Sequence, residues 1–296
     1  MATTREIVKR RNSISNIRKI TKTMEMIATA RFKKTHMRAA GGRPYTDNLS
    51  RLASELAGAL AGQEQADHPL LKTNQQSRRN IVLVLTSNRG LCGGFNGNLI
   101  KTANEKLQTL KQEGLEIELR VSGKKGIQSF LFQGYEVSHR YTDFNVKTSF
   151  QDIEPLADEF MELYSQKQID KVVVVYNRFV SSSEYYPDVL NLLPIGGDEI
   201  QAEGGEGSMN FEDYIFSPGP GEILAELIPA TVRMRLFQCF IDTIASEQVS
   251  RMKAMKAATE NAEHMIRSLS RQYNRARQTQ ITNELLDIIG GAEAIS

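Results

Sequence analysis

Residues 237–276 read FQCFIDTIASEQVSRMKAMKAATENAEHMIRSLSRQYNRA, the centre of a sixty-residue stretch, 230–289, that holds neither glycine nor proline. Phe237, Ile241, Ile244, Met252, Met255, Ala262, Ile266, Leu269, Tyr273 and Ala276 recur mostly at steps of three, four or their sums. That spacing lays one apolar stripe along a helix, the pattern of a coiled-coil strand. At 1.5 Å per residue the stretch predicts a rod of roughly 90 Å. A stripe of this kind needs a partner, and residues 1–40, also free of Gly and Pro, offer Ile7, Ile14, Ile17, Met24 and Ile27. Because the two segments stand at opposite ends of the chain, the simplest pairing is antiparallel. Ala28, Ala30, Ala254, Ala257 and Ala258 would let the backbones approach closely. Gly41, Gly42 and Pro44 are expected to end or kink the first helix before residues 45–60 resume a helical pattern.

Between the rods lie nearly all the glycines and all eight prolines, from Pro44 to Pro229. Here strand and helix patterns alternate. Residues 81–85, 117–121, 171–176 and 185–193 read as strands, and 98–111, 124–132 and 153–164 as helices, with four consecutive valines marking 171–176 as central. The alternation predicts a Rossmann-like open α/β sheet with the last strand at an edge. The chain is therefore expected to hold an N-terminal coiled-coil helix over 1–60, a Rossmann-like α/β body over 61–212 and a long C-terminal helix over 213–296. A body of this size is about 40 Å across, too small to enclose the long helix, which should project. The acidic, glycine-rich residues 196–213 read as a surface loop.

Composition narrows the classes. The chain has 296 residues, 40% of them hydrophobic, and a mean hydropathy of −0.37, and no run approaches the roughly 18 apolar residues of a membrane span. Cys92 and Cys239 cannot frame a disulfide scaffold. The charged amino end has no apolar segment behind it, which argues against export and for a reducing cytoplasm. The net charge of +2 conceals an asymmetry: residues 1–51 carry 13 Lys and Arg against 3 Asp and Glu. Such a basic arm attracts an acidic protein surface, an anionic lipid or a nucleic acid. For nucleic acid the arm lacks interleaved aromatics, Phe32 standing alone in the first forty residues, and its apolar stripe is committed to helix pairing, while an acidic protein surface would be attracted just as well; the residue pattern leaves the choice open.

Motifs for chemistry are weak. The loop SNRGLCGGFNGN, residues 87–98, follows a strand and opens a helix, where nucleotide-binding folds cradle phosphates. Its glycines, Gly90, Gly93, Gly94 and Gly97, fit neither dinucleotide nor P-loop spacing, so a tight turn is the better reading. Cys92 has no histidine within twenty residues, and a packed thiol explains it. His36, His68, His139 and His264 lack metal-ligand spacing. Glu154, Asp158, Glu159 and Glu162 share a helical segment, and a solvated face accounts for them better than a catalytic pair. No catalytic, cofactor-binding or metal residue emerges. The carboxyl end instead carries Ile281, Leu285, Leu286, Ile288 and Ile289 beyond the reach of the shorter partner, and an apolar socket on another protein would give them a purpose.

Three separated stretches resemble one family. IRKITKTMEMIATARFKK at 17–34 is similar to the first helix of the gamma subunit of F-type ATP synthase. ASEQVSRMKAMKAATENA at 245–262 and QYNRARQTQITNELLDIIGGA at 272–292 resemble that family's terminal helix, and SNRGLCGGFN its glycine loop.

The resemblance implies a non-catalytic central rotor shaft of bacterial type, without cofactor or metal. Its partners would be a hexamer of three alpha and three beta subunits, the epsilon subunit and the membrane c-ring, with no nucleic acid. Contact with the membrane would be peripheral, at the cytoplasmic face of the inner membrane. By the same likeness Met24, Arg31, Lys33, Arg277, Gln278, Thr282 and Glu284 would meet beta subunits. Glu247 and Arg251 would pack the helix pair, and Ile281, Leu285, Ile288 and Ile289 would form the tip in the hexamer bore. Asn88 stands where relatives often have Asp, Gly41 and Gly42 depart from their more regular first helix, and no cysteine pair lies within 93–238 to form the thiol switch of chloroplast relatives.

Overall fold

The computed structural model describes residues 4–59, 68–74, 77–195 and 219–293. The acidic loop expected at 196–213 lies outside them. The elements in chain order are α1 (Thr4–Ala59), β1 (Arg79–Leu85), α2 (Phe95–Gln112), β2 (Glu116–Ser122), α3 (Lys124–Phe132), β3 (His139–Tyr141), α4 (Phe150–Ser165), β4 (Lys171–Phe179), β5 (Tyr185–Leu193) and α5 (Pro220–Glu293). The chain forms two compact units, one of Met1–Thr29 with Arg251–Ser296 and one of Ala30–Ser250, so both α1 and α5 are shared between them.

The larger unit is built on a five-stranded sheet of order β3-β2-β1-β4-β5. β1 runs parallel to β2 and β4, β3 parallel to β2, and only β5 is antiparallel. The apolar runs put β1 and β4 in the middle: Ile81 to Val84 and Val172 to Val175 are wholly buried. Odd positions of β1, with Val172 and Val174 of β4, face Ile153, Phe160, Leu224, Ile228, Val232 and Leu236 of α4 and α5. Val82 and Val84 face Leu99, Leu107 and Phe130 of α2 and α3. Helices thus cover both faces, as parallel strands require. α4 opens on a capping box in which the Asp152 carboxylate accepts from the Ser149 N–H at 2.7 Å and its hydroxyl at 2.8 Å. Those two bonds hold the Asp152 carboxyl below its ordinary value.

One expectation about the first long helix changes. α1 does not end at Gly41, Gly42 and Pro44 but runs through them. Thr46, Leu49, Ala53 and Leu56 are buried at helical spacing beyond the proline, and the Thr46 hydroxyl donates to the Gly42 carbonyl at 3.2 Å. Tertiary burial outweighs the weak local propensity. α5 likewise begins at Pro220 and continues through Pro229, because Leu224 and Ile228 complete the stripe that Val232 and Leu236 carry on.

Candidate functional site

In the smaller unit the amino half of α1 and the carboxyl part of α5 lie side by side. Thr4 donates to Gln280 at 3.2 Å, Arg11 sits over the Tyr273 ring at 5.5 Å, Arg18 pairs with Glu263 at 3.8 Å and Thr259 donates to Thr21 at 2.8 Å. As the α1 number rises the α5 number falls, so the pair is antiparallel. Its seam on α1 is a heptad of Ile7, Ile14, Thr21 and Ala28, buried or half-buried at seven-residue intervals. On α5 the seam follows Met255, Thr259, Ala262, Ile266, Leu269, Tyr273 and Ala276.

Hydrophobicity alone misplaced part of the α1 stripe. Ile17 and Ile27 remain 48% and 47% exposed, while Thr21 takes the interior position. A threonine is admitted there because its hydroxyl finds Thr259 across the seam. A polar residue at strict seven-residue spacing was the available signal. Of the alanines expected to permit close approach, Ala28 is buried, Ala254 and Ala258 half-buried, and Ala30 and Ala257 exposed.

Beyond Gln280, α5 has no counterpart on α1, whose first described residue is Thr4. Ile281, Leu285, Ile288 and Ile289 fall on one helix face and stay 44%, 54%, 68% and 60% exposed. Arg277, Gln278, Thr282 and Glu284 are exposed on the same segment. Thr282 donates to the Gln278 carbonyl at 2.9 Å and Gln280 to the Glu284 carboxylate at 3.0 Å. On α1, Met24 is half-buried, while Arg31 and Lys33, which belong to the larger unit, are exposed. Glu247 and Arg251 stand one turn apart on α5, half-buried and buried. Arg31, Lys33 and Glu247 thus belong to the larger unit and the other predicted residues to the smaller.

The glycine loop and the charged residues of the sheet and helices make the following contacts. In the glycine loop, Asn96 Oδ1 accepts from the Ser87 N–H at 3.0 Å, Asn96 Nδ2 donates to Ser87 Oγ at 2.8 Å, and Asn88 Nδ2 donates to the Thr142 and Phe144 carbonyls. Leu91 and Gly93 take positive φ, 62° and 54°, which folds the loop back on itself. Arg233 holds Asp158 at 2.6 Å and Glu154 at 3.8 Å. Arg120, nearly fully buried, grips Glu118 at 2.7 Å and Glu159 at 2.6 Å. Burial works against the Arg120 charge, but hydrogen bonds with Glu159, Tyr141 and Glu118 raise its pKa nonetheless. Among the described residues no cluster of His, Cys, Asp and Glu could hold a metal, and no helix is long and apolar enough to cross a membrane.

A family model described as ATP synthase matches residues 3–295. The chain is 44% identical over 298 residues to the ATP synthase gamma chain of Rhodopirellula baltica, spanning all of this chain and 99% of that one. The chain belongs to the ATP synthase gamma-chain family. The gamma chain of Leptospira biflexa is 38% identical, with both chains covered in full. As a gamma chain it is a non-catalytic subunit of the membrane-associated ATP synthase complex. Among solved structures, a chain of the Euglena gracilis mitochondrial ATP synthase (OSCP/F1/c-ring) superimposes with a TM-score of 0.64 at 18% identity, covering 99% of this chain and 94% of that one. A chain from the central stalk and c-ring of the Tetrahymena thermophila enzyme gives 0.57 at 19% identity, covering 81% and 99%. These two likenesses speak to the fold: an open α/β sheet joined to long terminal helices.

Proposed function

We propose that the chain is the central shaft of a proton-driven rotary ATP synthase of bacterial type, carrying torque between a membrane c-ring and the catalytic beta subunits. The observation that carries this reading is the end of α5, where four large apolar side chains on one face remain in water. Since each is already about half covered, completing its burial in an apolar bore stabilises the assembly by about 1 kcal/mol. The paired helices supply stiffness, since bending a packed pair disturbs its seam.

Charge supports a collar of acidic loops. The smaller unit carries 14 Lys and Arg against 7 Asp and Glu, and at this excess an acidic partner is attracted over about a Debye length. In this reading Met24, Arg31 and Lys33 face acidic beta loops, and Arg277 and Gln278 hydrogen-bond a beta loop flanked by Thr282 and Glu284. Glu247 and Arg251 secure the helix pair lower down, and Ile281, Leu285, Ile288 and Ile289 turn within the hexamer. The α/β body, taken as 61–212 between helices 1–60 and 213–296, meets epsilon and the c-ring. The complex sits at the cytoplasmic face of the inner membrane, and this chain reaches the lipid only through its partners.

The test is the pair Arg277→Ala with Gln278→Ala in the reconstituted complex. We expect normal assembly, with ATP turnover reduced about tenfold or more, the loss of two charge-assisted or neutral hydrogen bonds. Turnover equal to the unaltered complex would remove these two residues from the proposal. A complex that assembles and turns over fully without this chain would remove the shaft itself.

A further inference from the structure

The glycine loop is prominent in the sequence, yet torque transmission along a coiled coil gives it no task. Its position suggests one. The chain passes from the larger unit to the smaller at Thr29/Ala30 on α1 and at Ser250/Arg251 on α5. Ser250, the last residue of the larger unit, is buried, and its hydroxyl donates to the Cys92 carbonyl of the loop at 2.6 Å. The Tyr185 hydroxyl, from the start of β5, donates in turn to Ser250 Oγ at 2.8 Å. Ser250 is thus held from two sides of the body.

The surroundings clamp both helices at this level. Phe179 and Tyr185, from the β4–β5 hairpin, pack with Ala245 and Val249 of α5 and with Phe32 of α1. The rings of Phe32, His36 and Phe179 lie 5.3–5.8 Å apart, in edge or tilted contact. Phe95, at the foot of the loop, reaches Tyr185 at 6.5 Å between centroids. The loop is rigid enough to serve as an abutment. Positive φ at Leu91 and Gly93 turns it, and Asn96 ties Ser87 to Cys92, donating to the sulfur at 3.3 Å. In related open sheets the segment after the first strand at the switch point is kept for a ligand; here its carbonyl is committed to α5.

We propose that Cys92 (through its carbonyl), Tyr185 and Ser250, with the Phe32–Phe179 contact, form the joint through which torque passes between the α/β body and the bases of both terminal helices. Tyr185 and Ser250 are positioning residues in it. This rests on the shaft reading above. A sheet can drive a helix only where relative slip is blocked, and a two-step hydrogen-bond chain combined with aromatic packing blocks rotation of α5 about its axis more sharply than apolar contact alone. Apolar contact is non-directional, whereas hydrogen bonds weaken steeply on misalignment.

Ser250→Ala and Tyr185→Phe each remove one oxygen. Tyr185→Phe keeps the ring against Phe95, so it reports on the joint even if Ser250→Ala disturbs α5. Both go into the reconstituted complex in proton-tight vesicles, with two readouts. Hydrogen exchange of the amides at 91–95 and 246–254 is expected to quicken about fivefold, the loss of one hydrogen bond of ordinary strength. Protons pumped per ATP hydrolysed are expected to fall as the joint slips. Faster exchange with an unaltered pumping ratio makes the chain of bonds a structural tie only and overturns the proposal, as does no change in either. An unaltered complex whose shaft does not turn against the hexamer when tracked by a bead on the body would instead overturn the shaft reading, leaving the two failures distinguishable.

Discussion

α5 buries several polar side chains in one stretch and leaves large apolar ones exposed in another. From Cys239 to Ser246 every residue is buried, and with them go Asp242, Thr243 and Ser246, followed by Gln248 and Ser250. From Ile281 to Ile289 the large apolar side chains stand in water. An ordinary helix of a folded chain does the reverse. The first stretch admits polar residues among its apolar ones where they bond the body: Ser250 to Cys92, Ser246 to the Asn177 carbonyl at 3.4 Å. In the proposed shaft the second is apolar because its partner belongs to another subunit. One helix therefore separates residues chosen for the chain's own folding from residues chosen for assembly.

The widest expected effect comes from the folding side. Leu236→Ala, at a fully buried position facing α4 and the sheet, should destabilise the chain by about 2–5 kcal/mol in denaturant unfolding, because it leaves a cavity. Thr259→Val attacks the intermediate zone. It breaks the hydroxyl pair with Thr21 and should cost about 1 kcal/mol in the same measurement. Leu285→Ala, 54% exposed, should move the free chain by no more than about 0.5 kcal/mol while weakening the assembled complex; a large loss in the free chain would erase the contrast. The smallest effect is a pH response. The Asp152 carboxyl titrates below its ordinary 3.8 in the folded chain, so the capping contribution is complete above that value and is lost as pH falls through the lowered one. Asp152→Asn should flatten this acid limb of a melting-temperature profile.

Much of this was legible in the residues, for physical reasons that differ by element. Strand β5 and helix α3 match their patterns at both ends because a period of two or of 3.6 was bounded by turn residues. β3 escaped because His139, Arg140 and Tyr141 have no apolar run, and the strand exists only as an edge added to β2. The passage of α1 through Gly41, Gly42 and Pro44 was hidden since the burial that accompanies it, at Thr46, Leu49 and Leu56, depends on tertiary packing, with Leu56 joining the core of the sheet. The carboxylates of α4 read as a solvated face, yet Asp158 and Glu159 are claimed by Arg233 and Arg120, from distant α5 and β2. The apolar end of α5 could be recognised by its lack of a partner of equal length.

The contact of Thr4 with Gln280 spans 276 positions, which sets a schedule for biosynthesis. At about 5–20 residues per second on the ribosome, the opening helix waits roughly 15–55 s for its mate. The sheet, by contrast, closes Arg79 on Glu116 within forty positions and can form while translation continues. For that interval the nascent amino end offers an unpaired half-seam, so a chaperone or an early-arriving subunit has its opportunity there, before the final turns of the chain emerge.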